Sequence, residues 1–372
     1  MEREEIIKNG NDSIYLIKCL LNGQTPDIMR VNQMNLDQLL AFSKRHKITA
    51  LLAKSLEQVI DSDVWKKEKN KAIRRTLLFD AERKKLYDYL NENKIWYLPL
   101  KGIVLANYYP EYGIREFVDN DILFDKKYQK SVKDYFVSEG YRVVSYNKSN
   151  HDIYYKAPIY NFEMHTNLFH STVTKGQNNY FDNYNKFLHK GDNYRFYLRD
   201  SDTYIYNIAH AIKHYSSSGC GIRTLVDIYI LNNKLELNWG YITEELKKAN
   251  IYEIAMNLNE LAMHTFLADY IINNSERMKL YNIFALGTFG TLDNKIENQL
   301  KIMPKGKILL RRLFIPLEDI RYSYPLIYKH RMLLPLFYIL RFGKIFGKRR
   351  RYITREFKRI VKHNGKTKKE NN

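Results

Sequence analysis

The chain has 372 residues, 45% hydrophobic and 27% charged, a balance that fits a folded protein with a substantial core and room for two or three domains. The formal net charge is +20, but +11 of it lies from Arg341 onward, where 13 Lys and Arg face only Glu356 and Glu370. The rest is mildly basic, and no helix-turn-helix or RNA-binding signature accompanies it, so composition argues against nucleic acid as the partner.

Cys19 and Cys220 are far apart and lack ligand spacing, which excludes a Cys-rich zinc motif and fits a reducing compartment. The start, Met-Glu-Arg-Glu-Glu, is charged and is not followed by a signal-peptide core. No run reaches the roughly 18–20 apolar residues of a spanning helix; Met332–Leu340, interrupted by Pro335, comes nearest. The expected location is the cytoplasm.

In chain order, residues 1–94 read as helical. Asn35 followed by Gln38 resembles a capping box, and Leu36, Leu39, Leu40, Phe42, Ile48, Leu51, Leu52 and Leu56 recur at helical spacing. Residues 62–94 contain neither Gly nor Pro and predict one long helix ending near Asn93.

The pattern then changes. Ile95–Leu100 predicts a strand, broken at Lys101-Gly102, and Ile103–Tyr109 a short helix. Val118–Phe124 predicts a second strand and Lys126–Glu139 a helix stopped by Gly140. Tyr141–Tyr146, His151–Tyr155 and Ile159–His165 predict three more strands. Residues 95–199 are thus expected to hold a small mixed α/β core. From residue 200 helices return, with a break at Gly219-Cys220-Gly221, giving a helical domain at 200–330 and a basic amphipathic tail at 331–372.

Asp119 and Asp121 are the first candidates for chemistry. Residues i and i+2 of a strand share a face, so two carboxylates would project together as oxygen ligands for a divalent cation. Asp-Asn-Asp is also good turn chemistry. Lys101-Gly102 falls at a strand-to-helix junction, where backbone N–H groups and a Lys can hold phosphate. Glu163 shares a strand face with His165 and supplies a third carboxylate for a two-metal site. Its bland counterpart is a solvated sheet face. His165 reads as a supporting histidine, because hard cations prefer oxygen. Asn120, between the aspartates, must point to the other face and find a partner there.

These residues resemble a bacterial nucleotidyltransferase family of the DNA polymerase beta-like superfamily. The resemblance is carried by Leu98-Pro99-Leu100-Lys101-Gly102, Tyr109-Pro110, Arg115, Asp119-Asn120-Asp121-Ile122-Leu123, Phe162-Glu163-Met164-His165, and the helical series His210, Lys213-His214, Gly221, Arg223, Asp227. It departs from the family at Asn120, where an apolar residue is usual. It implies an α+β fold: a small mixed-sheet nucleotidyltransferase module between N-terminal helices and a C-terminal helical domain. It further implies transfer of a nucleoside monophosphate from an NTP to an acceptor, with Mg²⁺ or Mn²⁺ held by Asp119, Asp121 and Glu163. Lys101, Gly102, Arg115, Lys213, His214 and Arg223 would serve the phosphates, and Asp227 would orient Arg223. Acceptors in the family are largely unassigned, so a sugar, a lipid-linked glycan, a peptide or a protein all stay open, with surface-polysaccharide synthesis one setting. His210 and His214, one turn apart, have zinc-like spacing but no evident third ligand.

The tail run Lys348-Arg349-Arg350-Arg351 reads as a solvated charge run, a nucleic-acid contact or, beside the apolar Leu333–Phe346, an interfacial helix on an anionic membrane. A non-catalytic scaffold that keeps the fold and acts through this tail is the competing reading.

Overall fold

The computed structural model describes residues 2–169, 180–288, 290, 292–317, 320, 324–345, 354, 357, 359 and 360. The chain forms two compact units: residues 1–213 with 220–289, and residues 214–219 with 290–372. The architecture is mixed α and β, as expected. No helix among the described residues is long and apolar enough to cross a membrane.

The first unit opens with helices α1 (Arg3–Leu21), α2 (Ile28–Val31), α3 (Leu36–His46), α4 (Thr49–Leu56) and α5 (Asp63–Glu92). Asn35 caps α3, its side chain accepting from the Gln38 N–H at 3.1 Å. The Ser55 hydroxyl donates to the Leu16 carbonyl at 2.7 Å and ties α4 to α1. Thr76, Phe79, Arg83, Leu86 and Leu90 form the buried stripe of α5, at spacings of three and four.

A five-stranded sheet follows: β1 (Tyr97–Pro99), β2 (Asn120–Phe124), β3 (Arg142–Ser145), β4 (His151–Lys156) and β5 (Tyr160–His165). Its order is β1-β2-β5-β4-β3. The β2–β5 pair is parallel and the others are antiparallel. Between β1 and β2 lies the four-residue helix α6 (Gly102–Leu105); between β2 and β3 lies α7 (Gln129–Ser138). Several strands are shorter than the sequence suggests. In particular, β2 begins at Asn120, because its pairing with β5 begins at Asn120–Phe162. Asp119 therefore precedes the strand rather than belonging to it.

One sheet face is the core. Ile122, Phe124, Tyr154, Phe162 and Met164 pack with Val132 and Phe136 of α7 and with Leu86 and Leu90 of α5. Phe136 stacks on Tyr154 with ring centroids 4.2 Å apart. Burial of such side chains contributes about 1.5–3 kcal/mol each and fixes the register, since a one-residue slip would turn every side chain to the opposite face. The register leaves Asp121, Glu163 and His165 together on the other face.

After a two-stranded ribbon, β6 (His189–Lys190) and β7 (Phe196–Tyr197), come α8 (Asp200–Tyr215), α9 (Ile222–Lys234), α10 (Trp239–Lys248), α11 (Tyr252–Phe266) and α12 (Asn274–Leu286). The second unit contains α13 (Leu292–Ile302), α14 (Lys305–Leu313), α15 (Pro325–Lys329) and α16 (Leu334–Ile345). Ile296, Ile308 and Ile360 form a small core there. The basic run Lys348–Arg351 lies outside the described residues.

Candidate active site

Parallel pairing sets Asp121 directly beside Glu163. Antiparallel pairing sets His151 opposite His165 on the next strand. Asp121, Glu163, His165 and His151 therefore come from three adjacent strands onto one face, with Asp119 just before β2. The two imidazole centroids are 4.9 Å apart. His165 Nε2 lies 2.8 Å from Asp121 Oδ1, and Lys101 Nζ lies 2.5 Å from the same oxygen. Glu163 Oε2 is 3.6 Å from His151 Nε2 and 3.9 Å from His165 Nε2.

Lys101 reaches Asp121 from a strained turn. It follows β1 with φ 47° and ψ −120°, a conformation that L-residues rarely adopt and that costs on the order of 1–3 kcal/mol. The backbone after it is pinned: Gly102 leaves room for a guanidinium, since a Cβ there would lie 2.7 Å from Arg115 Nη1. Strain of this kind survives where surrounding contacts over-determine it.

Asn120 points to the core face and is fully buried. Its Oδ1 accepts from Arg83 Nη1 at 2.5 Å, and its Nδ2 donates to the Asn161 carbonyl at 3.3 Å. The polar residue inside the motif is thus partnered by a charged residue in the buried stripe of α5.

The electrostatics follow from packing carboxylates out of water. Burial, then the neighbouring Asp121, pushes Asp119 up to about 6. Burial, then Asp121 and Asp119, pushes Glu163 up to about 8. Burial works on Asp121 in the same sense, but the Lys101 ammonium and His165 outweigh it and hold that carboxyl well below its usual range. Burial, then His165 and Lys101, keeps His151 neutral, its value lowered to about 3. His165 is also lowered, by burial and then by Lys101.

The model of a family described as uncharacterised nucleotidyltransferase matches residues 32–266, more than half of the chain. The chain belongs to this family. No curated protein and no solved structure matches it significantly. The matched span takes in all the residues above, together with those that α8 and α9 contribute.

Helix α8 brings Lys213 and Tyr206, two turns apart, toward the carboxylates. Lys213 feels Lys101, Glu163 and Asp121, and burial lowers its value. Tyr206 is buried, and its hydroxyl has no hydrogen-bond partner among the described residues. Burial raises its value, with Lys101, Asp121 and Glu163 the charges acting on it. Sequence reasoning missed Tyr206; the available signal was its spacing of seven from Lys213. It also missed His151, whose place depends on a strand register that the turn before it sets. His214 falls in the second unit, one residue beyond Lys213.

The sequence reading pairs Asp227 with Arg223; the structure pairs it with Arg115. Arg115 Nε and Nη2 each donate to one Asp227 oxygen at 2.8 Å, and the Tyr109 hydroxyl adds a third bond at 2.6 Å. Arg223 instead donates to the Glu116 carbonyl at 2.8 Å, while Glu116 accepts from the Thr49 N–H at the start of α4 at 2.6 Å. Arg115 and Asp227 thus lock the loop before β2 to α9.

Among the described residues, Glu163, one of the three carboxylates expected to bind metal, belongs to a compact group of potential ligands. That group is His151, Glu163 and His165, with one ligating atom from each within 4.8 Å of the others.

Proposed function

We propose that this nucleotidyltransferase moves a nucleoside monophosphate from an NTP to a hydroxyl or phosphate acceptor, with Mg²⁺ or Mn²⁺ held by Asp119, Asp121 and Glu163. The observation that carries this reading is the pairing of Asp121 with Glu163 on adjacent parallel strands, with Asp119 beside them. The donor set fits a divalent ion. Buried carboxylates that raise one another's proton affinity are relieved by a cation, and the Tyr206 hydroxyl, which has no hydrogen-bond partner among the described residues, feels Asp121 and Glu163. Bound there, the ion would supply charge neutralisation on the phosphates and a lowered pKa for the attacking oxygen.

The chain's own groups would divide the remaining work. Lys101 and Lys213 would offset charge on the triphosphate and on the departing pyrophosphate. Tyr206 would donate its hydroxyl hydrogen to a phosphate oxygen. His165 would hold Asp121 in one orientation. The acceptor oxygen would form its bond to the α-phosphorus as the bond to the bridging oxygen of pyrophosphate breaks, its proton passing to a Glu163 oxygen.

The acceptor is a sugar, a lipid-linked glycan, a peptide or a protein. A membrane-proximal acceptor draws support from α16 and the turn before it, where Met332, Leu336, Ile339 and Leu340 are exposed at helical spacing beside Arg341 in the sequence. On that reading the protein works in the cytoplasm, at the inner face of an anionic membrane. The experiment is pyrophosphate release from each of the four NTPs, with and without Mg²⁺ or Mn²⁺, against a panel of sugar, polyol and peptide acceptors. Metal-dependent release with at least one NTP–acceptor pair is expected. Nucleotide binding without any turnover across the panel would favour the scaffold reading.

A further inference from the structure

His151 is not part of the carboxylate set, yet it stands with Glu163 and His165 in a compact group of potential ligands on the site face. Its surroundings assign it a specific chemical form. The Asn150 side chain lies between the two imidazoles: its Oδ1 is 3.3 Å from His151 Nδ1, and its Nδ2 is 3.4 Å from His165 Nδ1. Two further contacts fix which end of the amide is which. Nδ2 donates to the Asn167 carbonyl at 3.1 Å, and Oδ1 accepts from the Ser149 hydroxyl at 3.1 Å. A carbonyl only accepts, so the amide nitrogen must face Asn167.

The tautomers follow. His151 carries its hydrogen on Nδ1, donates it to Asn150, and presents a bare Nε2 lone pair 3.6 Å from Glu163 Oε2. His165 receives the amide hydrogen at Nδ1 and carries its own on Nε2, where it donates to Asp121 at 2.8 Å. One amide therefore gives two neighbouring histidines opposite roles. Outer hydrogen bonds of this kind fix ligating imidazoles in metal sites. His151 and Glu163 retain side-chain exposures of 22% and 20%, so the pair is open to an ion from solvent, whereas His165 at 3% is not.

We infer that His151 Nε2 and the Glu163 carboxylate form a mixed nitrogen–oxygen arm of the metal site, which takes a divalent transition ion in preference to Mg²⁺. An imidazole nitrogen suits transition ions, increasingly so from Mn²⁺ toward the later ones, while Mg²⁺ favours an all-oxygen shell. His165 stays outside the shell as the residue that positions Asp121. Nitrogen ligation builds on the metal-dependent reading proposed above, but it is read by spectroscopy and can fail or stand independently of transfer activity.

The test is pulsed electron paramagnetic resonance on the full chain loaded with Mn²⁺, with affinities from titration of the free-ion signal. The wild type is expected to show ¹⁴N coupling from one coordinated imidazole. His151→Ala should abolish that coupling and weaken Mn²⁺ binding about tenfold, while Mg²⁺ affinity, measured by competition, changes less than twofold. His165→Ala, checked for folding by circular dichroism, should keep the coupling. Bound Mn²⁺ without ¹⁴N coupling in the wild type would overturn the assignment, as would coupling that persists in His151→Ala or two coordinated imidazoles. If coupling appears but no NTP–acceptor pair turns over, the metal arm stands and the transferase reading fails.

Discussion

Arg115 and Asp227, 112 residues apart, share a two-pronged ion pair with both N–H···O distances at 2.8 Å. Both are largely withdrawn from solvent, with side-chain exposures of 7% and 14%. The pair joins the loop before β2 to α9, and the same guanidinium backs Gly102 beside the strained Lys101. It ties the segment that leads into Asp119 to the helical part of the same unit.

Breaking one partner of such a pair leaves the other buried and unpaired. Asp227→Asn should therefore lower folding stability by about 3–5 kcal/mol in urea denaturation. A double change, Arg115→Met with Asp227→Leu, should recover part of the loss. Equal stability of Asp227→Asn and wild type would mean that the lock is not what holds the loop.

A second tie predicts a pH dependence. His46 is fully buried on α3; its Nδ1 accepts from the Ile222 N–H at 3.2 Å and its Nε2 donates to the Phe284 carbonyl at 3.1 Å. Burial lowers its value from 6.5 to about 4. The unfolded chain thus takes up a proton that the folded chain refuses between those two values. Stability is fully present above pH 6.5 and falls as the pH drops toward 4, by roughly 3 kcal/mol for this group. His46→Gln should flatten that slope in denaturation curves at stepped pH; an unchanged slope would remove His46 as its source.

The Tyr206 hydroxyl has no hydrogen-bond partner among the described residues, so removing it should cost little stability. Tyr206→Phe is expected to melt within a few degrees of wild type, while turnover falls about 10- to 100-fold if the hydroxyl serves a phosphate oxygen. Unchanged turnover would place the hydroxyl outside the chemistry.

The exposed apolar positions of the Met332–Leu340 stretch should bind anionic vesicles. Sedimentation with phosphatidylglycerol vesicles should pellet the wild type, and neutral phosphatidylcholine vesicles should not. Leu336→Glu with Ile339→Glu should abolish pelleting. Replacing Lys348, Arg349, Arg350 and Arg351 with Gln should weaken it by removing basic groups worth about 1 kcal/mol each. Equal pelleting with both lipids, or none, would refute a surface contact of this kind.

What was legible in the sequence was what short-range period encodes. Alternation along Tyr160–His165 separates Phe162 and Met164 from Glu163 and His165, and the structure buries the first pair in the core. The long helix α5 and the cap at Asn35 are likewise local. Partnerships across the fold were not legible. Asn120 finds Arg83, 37 positions earlier; the one hint was a charged residue falling within the apolar stripe of α5. His151 reaches the site only through its register opposite His165, which the turn at 146–150 sets. Asp227 chose Arg115 over Arg223 because helix α9 and the loop before β2 meet there, a contact that no local pattern encodes.

Asp119 offers the most direct test of the central claim. It makes no direct hydrogen bond or ion pair among the described residues, and burial beside Asp121 makes its charge unfavourable to folding. Asn in its place should keep or raise thermal stability. The deciding measurement is transfer of label from an α-³²P-NTP, with Mn²⁺ and the acceptor found by the panel, for wild type and Asp119→Asn side by side. Metal-dependent nucleotidyl transfer predicts a loss of several orders of magnitude in a variant at least as stable as the wild type. Label transfer by Asp119→Asn at the wild-type rate would contradict it.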